Sequence, residues 1–252
     1  ESAMKEGMRS WAQDLAQAWR DTAPRPVKAD STISIEEAYA TQKAFVGLRG
    51  ETITGYKAGL TSTDAQQAQG VDFPVSGVLF ERVRFDPGAE IETSLMSMPL
   101  IETEIGFLMG ADVTAPVSRN DVSAVLASFM PMVEIVDVSF SHRPLVTDII
   151  ACNVAAAYYI QSGDEHDVAR VNDAALRFYA DGVLKHEGTA IDALGDQLEA
   201  AAWLINHTLE KGYPVTAGQV LMTGSLGAVY PGRPGDYRVE YGEFGEIVFS
   251  MK

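Results

Sequence analysis

The chain has 252 residues, 46% of them hydrophobic, enough to bury one large core. Its 35 acidic and 19 basic residues leave a formal net charge of −16, a field that repels polyanions; with no basic stripe to interrupt it, nucleic acid is excluded as a partner. The single Cys152 excludes an internal disulfide framework and a cysteine zinc cluster, and no run approaches the roughly 18 apolar residues of a membrane span, so a soluble protein with no membrane partner is expected.

The first fifth reads as helical. Met8, Trp11, Leu15, Ala18 and Trp19 recur at spacings of three and four and give one apolar face, which Pro24 and Pro26 end. Ser34 and Glu37 form a capping box ahead of a second helix through Tyr39, Gln42 and Phe45, closing near Gly47 or Gly50. From Thr52 onward the chain breaks into short strand-like runs, at 53–57, 78–80, 90–93, 101–108, 132–138, 149–154, 175–180, 183–186, 220–223, 237–241 and 246–250. Asp181-Gly182 marks a two-residue hairpin turn. Helices are predicted at about 120–129, with Val122, Val125, Leu126 and Phe129 inward, and at about 196–210, stopping at Gly212. The pattern predicts an α+β fold with a mixed, mostly antiparallel, curled sheet: an N-terminal helical segment over 1–50 and a β-rich body over 51–252, together one structural unit.

Residues 101–108 read Ile-Glu-Thr-Glu-Ile-Gly-Phe-Leu. Positions two apart share a strand face, so Glu102 and Glu104 point the same way, away from Ile101, Ile105 and Phe107. Glu134 lies in the apolar run Met132-Val133-Glu134-Ile135-Val136, where burial is costly without a counter-charge. Spacing alone favours a solvated strand face for Glu102 and Glu104, with Glu134 paired to an arginine. Were the three to converge, an all-oxygen set would select Mg²⁺, Mn²⁺ or Ca²⁺ over zinc. Lys57, between Gly55 and Gly59, reads either as a surface strand lysine or as a site residue with backbone packed close to it.

Several segments in order change that balance. Gly55-Tyr56-Lys57-Ala58-Gly59-Leu60-Thr61-Ser62 resembles the GYKxGLTS motif of the 2-keto-4-pentenoate hydratases, which with the 4-oxalocrotonate decarboxylases fall in the fumarylacetoacetate hydrolase superfamily. Gly70-Val71-Asp72 resembles the loop that follows; Glu102-Thr103-Glu104 and Glu134-Ile135-Val136-Asp137 resemble the metal-binding strands; Trp203-Leu204 and Leu221-Met222-Thr223-Gly224-Ser225 resemble the C-terminal pattern. The resemblance implies a mixed β-roll, an Mg²⁺ or Mn²⁺ ion on Glu102, Glu104 and Glu134, and homo-oligomers. It further implies Lys57 as the active-site lysine, with Thr61, Ser62, Asp72, Thr223 and Ser225 on the substrate side. The implied activity is a metal-dependent lyase of small 2-oxo acids, a hydro-lyase first. The rival readings are a 2-oxo-enedioate decarboxylase and a 2-oxo-acid-binding pseudoenzyme. Lys57 is expected to be biased toward its neutral form there.

Three positions depart from the family pattern. Val75 stands where the hydratase loop carries an aspartate, Ser139 where an arginine follows the third metal strand, and Cys152 where a second aspartate is usual. His142 is a candidate replacement for the lost acid/base group and Arg143 for the missing carboxylate clamp. Cys152 reads as a small buried residue rather than a nucleophile, and His166 and His207 as structural. The lone cysteine fits a reducing, cytoplasmic setting; because the sequence opens at Glu1, a leader ahead of it would make the protein periplasmic.

Overall fold

The computed structural model describes residues 5–252. Helix α1 (Glu6–Arg20) buries Trp11, Leu15 and Ala18, the stripe expected from its spacing. Helix α2 (Ile35–Arg49) begins at the predicted capping box: the Ser34 hydroxyl accepts the Glu37 N–H while the Glu37 carboxylate accepts the Ser34 N–H, and Gly50 closes it in a left-handed conformation. Strands β1 (Ile53–Gly59) and β2 (Val75–Phe80) flank the short α3 (Thr63–Ala68). Two-residue strands β3 (Arg84–Phe85) and β4 (Glu90–Ile91) lead to the long antiparallel pair β5 (Pro99–Met109) and β6 (Leu126–Asp137). Helix α4 (Val146–Ala151), β7 (Ala156–Gln161) and the hairpin β8 (Ala175–Ala180) and β9 (Val183–Thr189) follow. Helix α5 (Gln197–Glu210), β10 (Val220–Met222), β11 (Tyr230–Pro231), β12 (Gly235–Glu240) and β13 (Glu246–Met251) complete the chain.

One eight-stranded sheet runs in the order β2-β1-β10-β5-β6-β7-β3, with β11 also on β5; a second runs β4-β13-β12-β8-β9. Only the β1–β10, β3–β7 and β4–β13 pairs are parallel, so the sheets are mixed and mostly antiparallel, as expected. Strands β2 and β7 touch although four strands separate them in the hydrogen-bonding order, so the larger sheet curls on itself. Its convex face carries Ile101, Ile105, Phe107, Val133 and Ile135 into the main core, with Leu204 and Ile205 of α5 in the same cluster. Helices α1 and α2 join α4 through Trp11, Leu15, Phe45, Ala151 and Cys152. No helix among the described residues is long and apolar enough to cross a membrane.

Two expected elements take another form. The run at 120–129 is a single 3₁₀ turn, Val122–Val125, that passes into β6 at Leu126. Its apolar spacing satisfies a helix, but Phe129 pairs opposite Phe107, and a full ladder with β5 outweighs local preference. The expected strand at 149–154 is instead the end of α4 and a turn. Asp148 holds that helix start by accepting the Leu145 and Lys28 N–H groups, at 2.9 and 2.7 Å. The strand begins later, at Ala156.

Candidate metal centre

Glu102 and Glu104 project from one face of β5, and Glu134 lies directly opposite Glu102 in the β5–β6 register. Two like charges in that cross-strand relation destabilise a sheet by themselves. One oxygen from each of the three carboxylates lies within 4.8 Å of the others. Glu104 and Glu134 are 0% exposed and Glu102 is half-buried. The neighbours on this concave face are apolar: Leu79, Met132, Tyr159 and Met222.

The electrostatics are those of a site that wants a cation. Burial pushes the Glu104 carboxyl well above its ordinary range, and the nearby Glu134 and Glu102 charges push it further. Glu134 is raised by the same burial, partly offset by Lys57. Neither Glu104 oxygen has a hydrogen-bond partner among the described residues. Buried carboxylate oxygens left without donors are costly, and a hard divalent ion removes both the desolvation and the repulsion at once. The residues fit Mg²⁺ or Mn²⁺.

Lys57, on β1, has 2% of its side chain exposed and places Nζ 2.6 Å from Glu134 Oε2. Its second partner is the Val154 carbonyl, at 3.0 Å. Burial alone pushes the ammonium pKa down, as expected from sequence, but the charges of Glu134, Glu102 and Glu104 outweigh it and raise the pKa. The partner that sequence spacing assigned to Glu134, an arginine, is therefore this lysine.

The other candidates divide. Thr61 is buried at the end of β1, packed where a Cβ on Gly224 would strike its side chain, and the Thr61 carbonyl accepts the Leu194 N–H at 3.0 Å. Ser225 keeps a buried hydroxyl with no partner among the described residues, free for a ligand. Thr223 is committed elsewhere: its hydroxyl meets Gln197 Oε1 at 2.5 Å and the Ile105 carbonyl at 3.1 Å. Ser62 is exposed and caps α3, accepting the Ala65 N–H at 3.1 Å. Asp72 is exposed in the loop between α3 and β2.

His142 and Arg143 are also exposed, on the loop after β6 that pairs with Arg25, and among the described residues neither is hydrogen-bonded to the carboxylates. Among the described residues the one hydrogen bond of the His142 ring is to Ser141 Oγ, at 3.3 Å, so the structure does not bring it to the triad as an acid/base group. Arg25 rather than Arg143 sits by the end of β6, 3.7 Å from Asp137. Cys152 is buried, and burial raises its pKa, which disfavours the thiolate a nucleophile needs. Sequence reasoning missed the Val154 carbonyl, because a backbone acceptor has no residue-type signature.

Comparison with known proteins decides the family. No family model matches the chain. A 2-oxo-hept-4-ene-1,7-dioate hydratase of Escherichia coli is 32% identical over 232 residues, covering 85% of this chain and 86% of that protein. A 2-keto-4-pentenoate hydratase of Paraburkholderia xenovorans (strain LB400) is 30% identical over 237 residues, covering 89% and 87%.

The chain belongs to the 2-keto-4-pentenoate hydratase family.

The fold of this hydratase-family chain agrees with that placement. A solved 4-oxalocrotonate decarboxylase from Pseudomonas putida G7, complexed with magnesium and adipate, superposes with a TM-score of 0.92 at 24% identity over 98% of each chain. A fumarylacetoacetate hydrolase family protein from Yersinia pestis CO92 superposes with a TM-score of 0.59 over 80% of this chain and 94% of that one. Val75 is 0% exposed and packs with Ile150 and Val154, so the position at which the sequence resemblance leads one to expect an aspartate is here part of an apolar wall.

Proposed function

We propose that the protein is a divalent-metal-dependent lyase of small 2-oxo acids, acting as a hydro-lyase of the 2-keto-4-pentenoate hydratase kind. The observation that carries this reading is the convergence of Glu102, Glu104 and Glu134 within 4.8 Å, with Lys57 against Glu134. Both close sequence relatives named above are hydratases of 2-oxo acids. A divalent cation bound there supplies Lewis-acid stabilisation of the negative charge that develops on the 2-oxo group.

The chain's own groups supply the rest. Glu102, Glu104 and Glu134 hold the cation and fix which side of the substrate faces the sheet. Lys57 Nζ, buried beside the carboxylates and 2.6 Å from Glu134 Oε2, is the group that, as an ammonium, gives the proton to the substrate carbon. Ser225 Oγ is free to donate to a substrate oxygen. Val75 and Val154 close the wall with apolar surface and exclude water behind the lysine.

That apolar wall favours a second reading, decarboxylation. Hydration has to deliver a proton and activate a water, whereas loss of carbon dioxide needs chiefly a place to hold the electron pair, and Val75 removes one proton carrier. Incubation of the Mg²⁺-loaded protein with a 2-oxo-4-enoate and a 2-oxo-enedioate, followed by product analysis, separates them. A 4-hydroxy-2-oxo acid supports hydration, carbon dioxide without hydrated product supports decarboxylation, and turnover of neither in the presence of metal removes both. Exposed Leu95 and Met98, at 51% and 58%, support assembly as a homo-oligomer, which light scattering checks. The free, buried Cys152 supports a cytoplasmic setting.

A further inference from the structure

Asn153, Val154 and Ala155 all adopt left-handed backbone conformations, with φ of +63°, +53° and +56°. A β-branched residue such as Val154 with positive φ is a true outlier, and three non-glycine residues in succession there persist only where the surroundings over-determine them. The determinants are visible. Asn153 is 0% exposed, and its side-chain amide brackets one residue of β2, accepting the Val78 N–H at 2.7 Å and donating to the Val78 carbonyl at 2.9 Å.

Two glycines admit this turn against the sheet. A Cβ on Gly77 would lie 2.8 Å from Asn153 Oδ1, and a Cβ on Gly59 would lie 2.8 Å from Val154 Cγ1. Gly77 is the residue opposite Lys57 in the β1–β2 register, and Gly59 is two residues along from Lys57 on the same face of β1. The turn therefore closes directly over the lysine. Its product is one carbonyl, that of Val154, aimed at Lys57 Nζ at 3.0 Å.

We infer that Asn153 is a positioning residue for Lys57: its amide bracket on Val78 locks the strained turn whose Val154 carbonyl, with Glu134, fixes the direction of the lysine ammonium. An ammonium has three N–H donors. With one on Val154 and one on Glu134, the third is left with a single direction in which to meet a reacting group. Without the bracket the turn relaxes, the carbonyl withdraws, and the lysine keeps its charge partner but loses its aim. The inference rests on the proposed reading of the carboxylate site, since it assigns Lys57 a task there.

The test uses Asn153→Ala and Gly77→Ala, the second displacing the bracket without removing any hydrogen-bonding group. Two readouts follow for each variant that keeps the wild-type near-ultraviolet circular dichroism. The first needs no turnover: the ¹⁵Nζ resonance of Lys57, assigned by its absence in Lys57→Met and followed with and without Mg²⁺, is expected to be sharp and slowly exchanging in the wild type and broadened in both variants. The second is kinetic: kcat on the 2-oxo acid is expected to fall about 10- to 100-fold, the scale set by misplacing a reacting group. KM and Mg²⁺ affinity are expected to stay within about threefold, and Asn153→Ala to cost nothing more in a Lys57→Met background. An unchanged Lys57 resonance in the folded variants, or an equal kcat loss in the Lys57→Met background, overturns the inference. Should Asn153→Ala fail to fold, Gly77→Ala decides. Should the wild type turn over no 2-oxo acid, the lyase reading fails while the resonance still decides this one.

Discussion

Glu102 and Glu134 face each other directly across an antiparallel strand pair, one half-buried and the other wholly so. Sheets avoid like charges in that relation. Here a third carboxylate, Glu104, sits beside them, and among the described residues both its oxygens are unpartnered and one lysine is the only cation in contact. The local arrangement is a cost to folding that a bound dication turns into a gain.

Replacing Glu104 with glutamine is therefore expected to raise stability without metal and to abolish the stabilisation that metal brings. Removing one buried, repelled charge is worth about 1 to 3 kcal/mol, and thermal melts with Mg²⁺ and with a chelator read both effects. A variant that melts lower than the wild type in chelator would contradict the electrostatic account of the triad.

Gly55→Ala tests the seating of β1, the strand that carries Lys57. A Cβ there would fall on the backbone of Val220, whose carbonyl oxygen, the parallel partner across β1–β10, cannot move aside. The expected cost is about 3 kcal/mol or more, read by denaturant unfolding. Gly163→Ala, where a Cβ meets nothing within 4 Å, is expected to be near neutral.

His207 gives the fold an acid-side limit. Its Nε2 lies 2.9 Å from the Tyr39 hydroxyl, which accepts the Ser76 N–H and keeps its own O–H to donate when the ring is unprotonated at Nε2. Burial, with Lys211 nearby, lowers the His207 pKa from 6.5 to about 4. A depressed folded-state value means that the folded form resists protonation. This contribution is thus complete above pH 6.5 and is lost as pH falls toward 4. The gap corresponds to at most about 3 kcal/mol. His207→Gln, which keeps an acceptor for Tyr39, is expected to flatten the stability profile between those two pH values. An unchanged slope would show that His207 is not the group responsible.

The capping box of α2 is a smaller, cleaner test. Ser34→Ala removes the acceptor for the Glu37 N–H, a bond of 3.0 Å, and is expected to cost about 1 kcal/mol in urea unfolding. No loss at all would mean that water caps the helix equally well.

The shared face of Glu102 and Glu104 was legible because a strand has period two, and the ordered family motifs, not the spacing, pointed to a metal there. Glu-Thr-Glu placed two carboxylates on one face, and Glu134 stood out as a charge in an apolar run. The ordered motif from Gly55 to Ser62 added the lysine. The cap of α2 and the hairpin at Asp181-Gly182 were legible because local chemistry alone sets them, and both residues of that turn have positive φ. What stayed hidden depended on distant partners. Residues 120–129 fit a helix by spacing, yet only Val122–Val125 makes a 3₁₀ turn and Leu126 onward is strand, because β5 offers a complete ladder. The turn at 153–155 had no local signal, since Val and Ala do not favour left-handed backbone, and it exists because Asn153 reaches Val78 seventy-five residues away. His142 suggested itself by sequence proximity to the metal strand, and the chain leads it outward into solvent instead.

The central claim is that Glu102, Glu104 and Glu134 hold one divalent ion that a 2-oxo acid then shares. Calorimetric titration of Mg²⁺ and Mn²⁺ into the metal-free protein, repeated with oxalate as the 2-oxo-acid mimic and with Glu104→Gln, tests it most directly. The account predicts one ion per chain, oxalate binding only when the ion is present, and loss of both in Glu104→Gln. Oxalate binding of equal strength without the ion, or ion binding undiminished in Glu104→Gln, would contradict it.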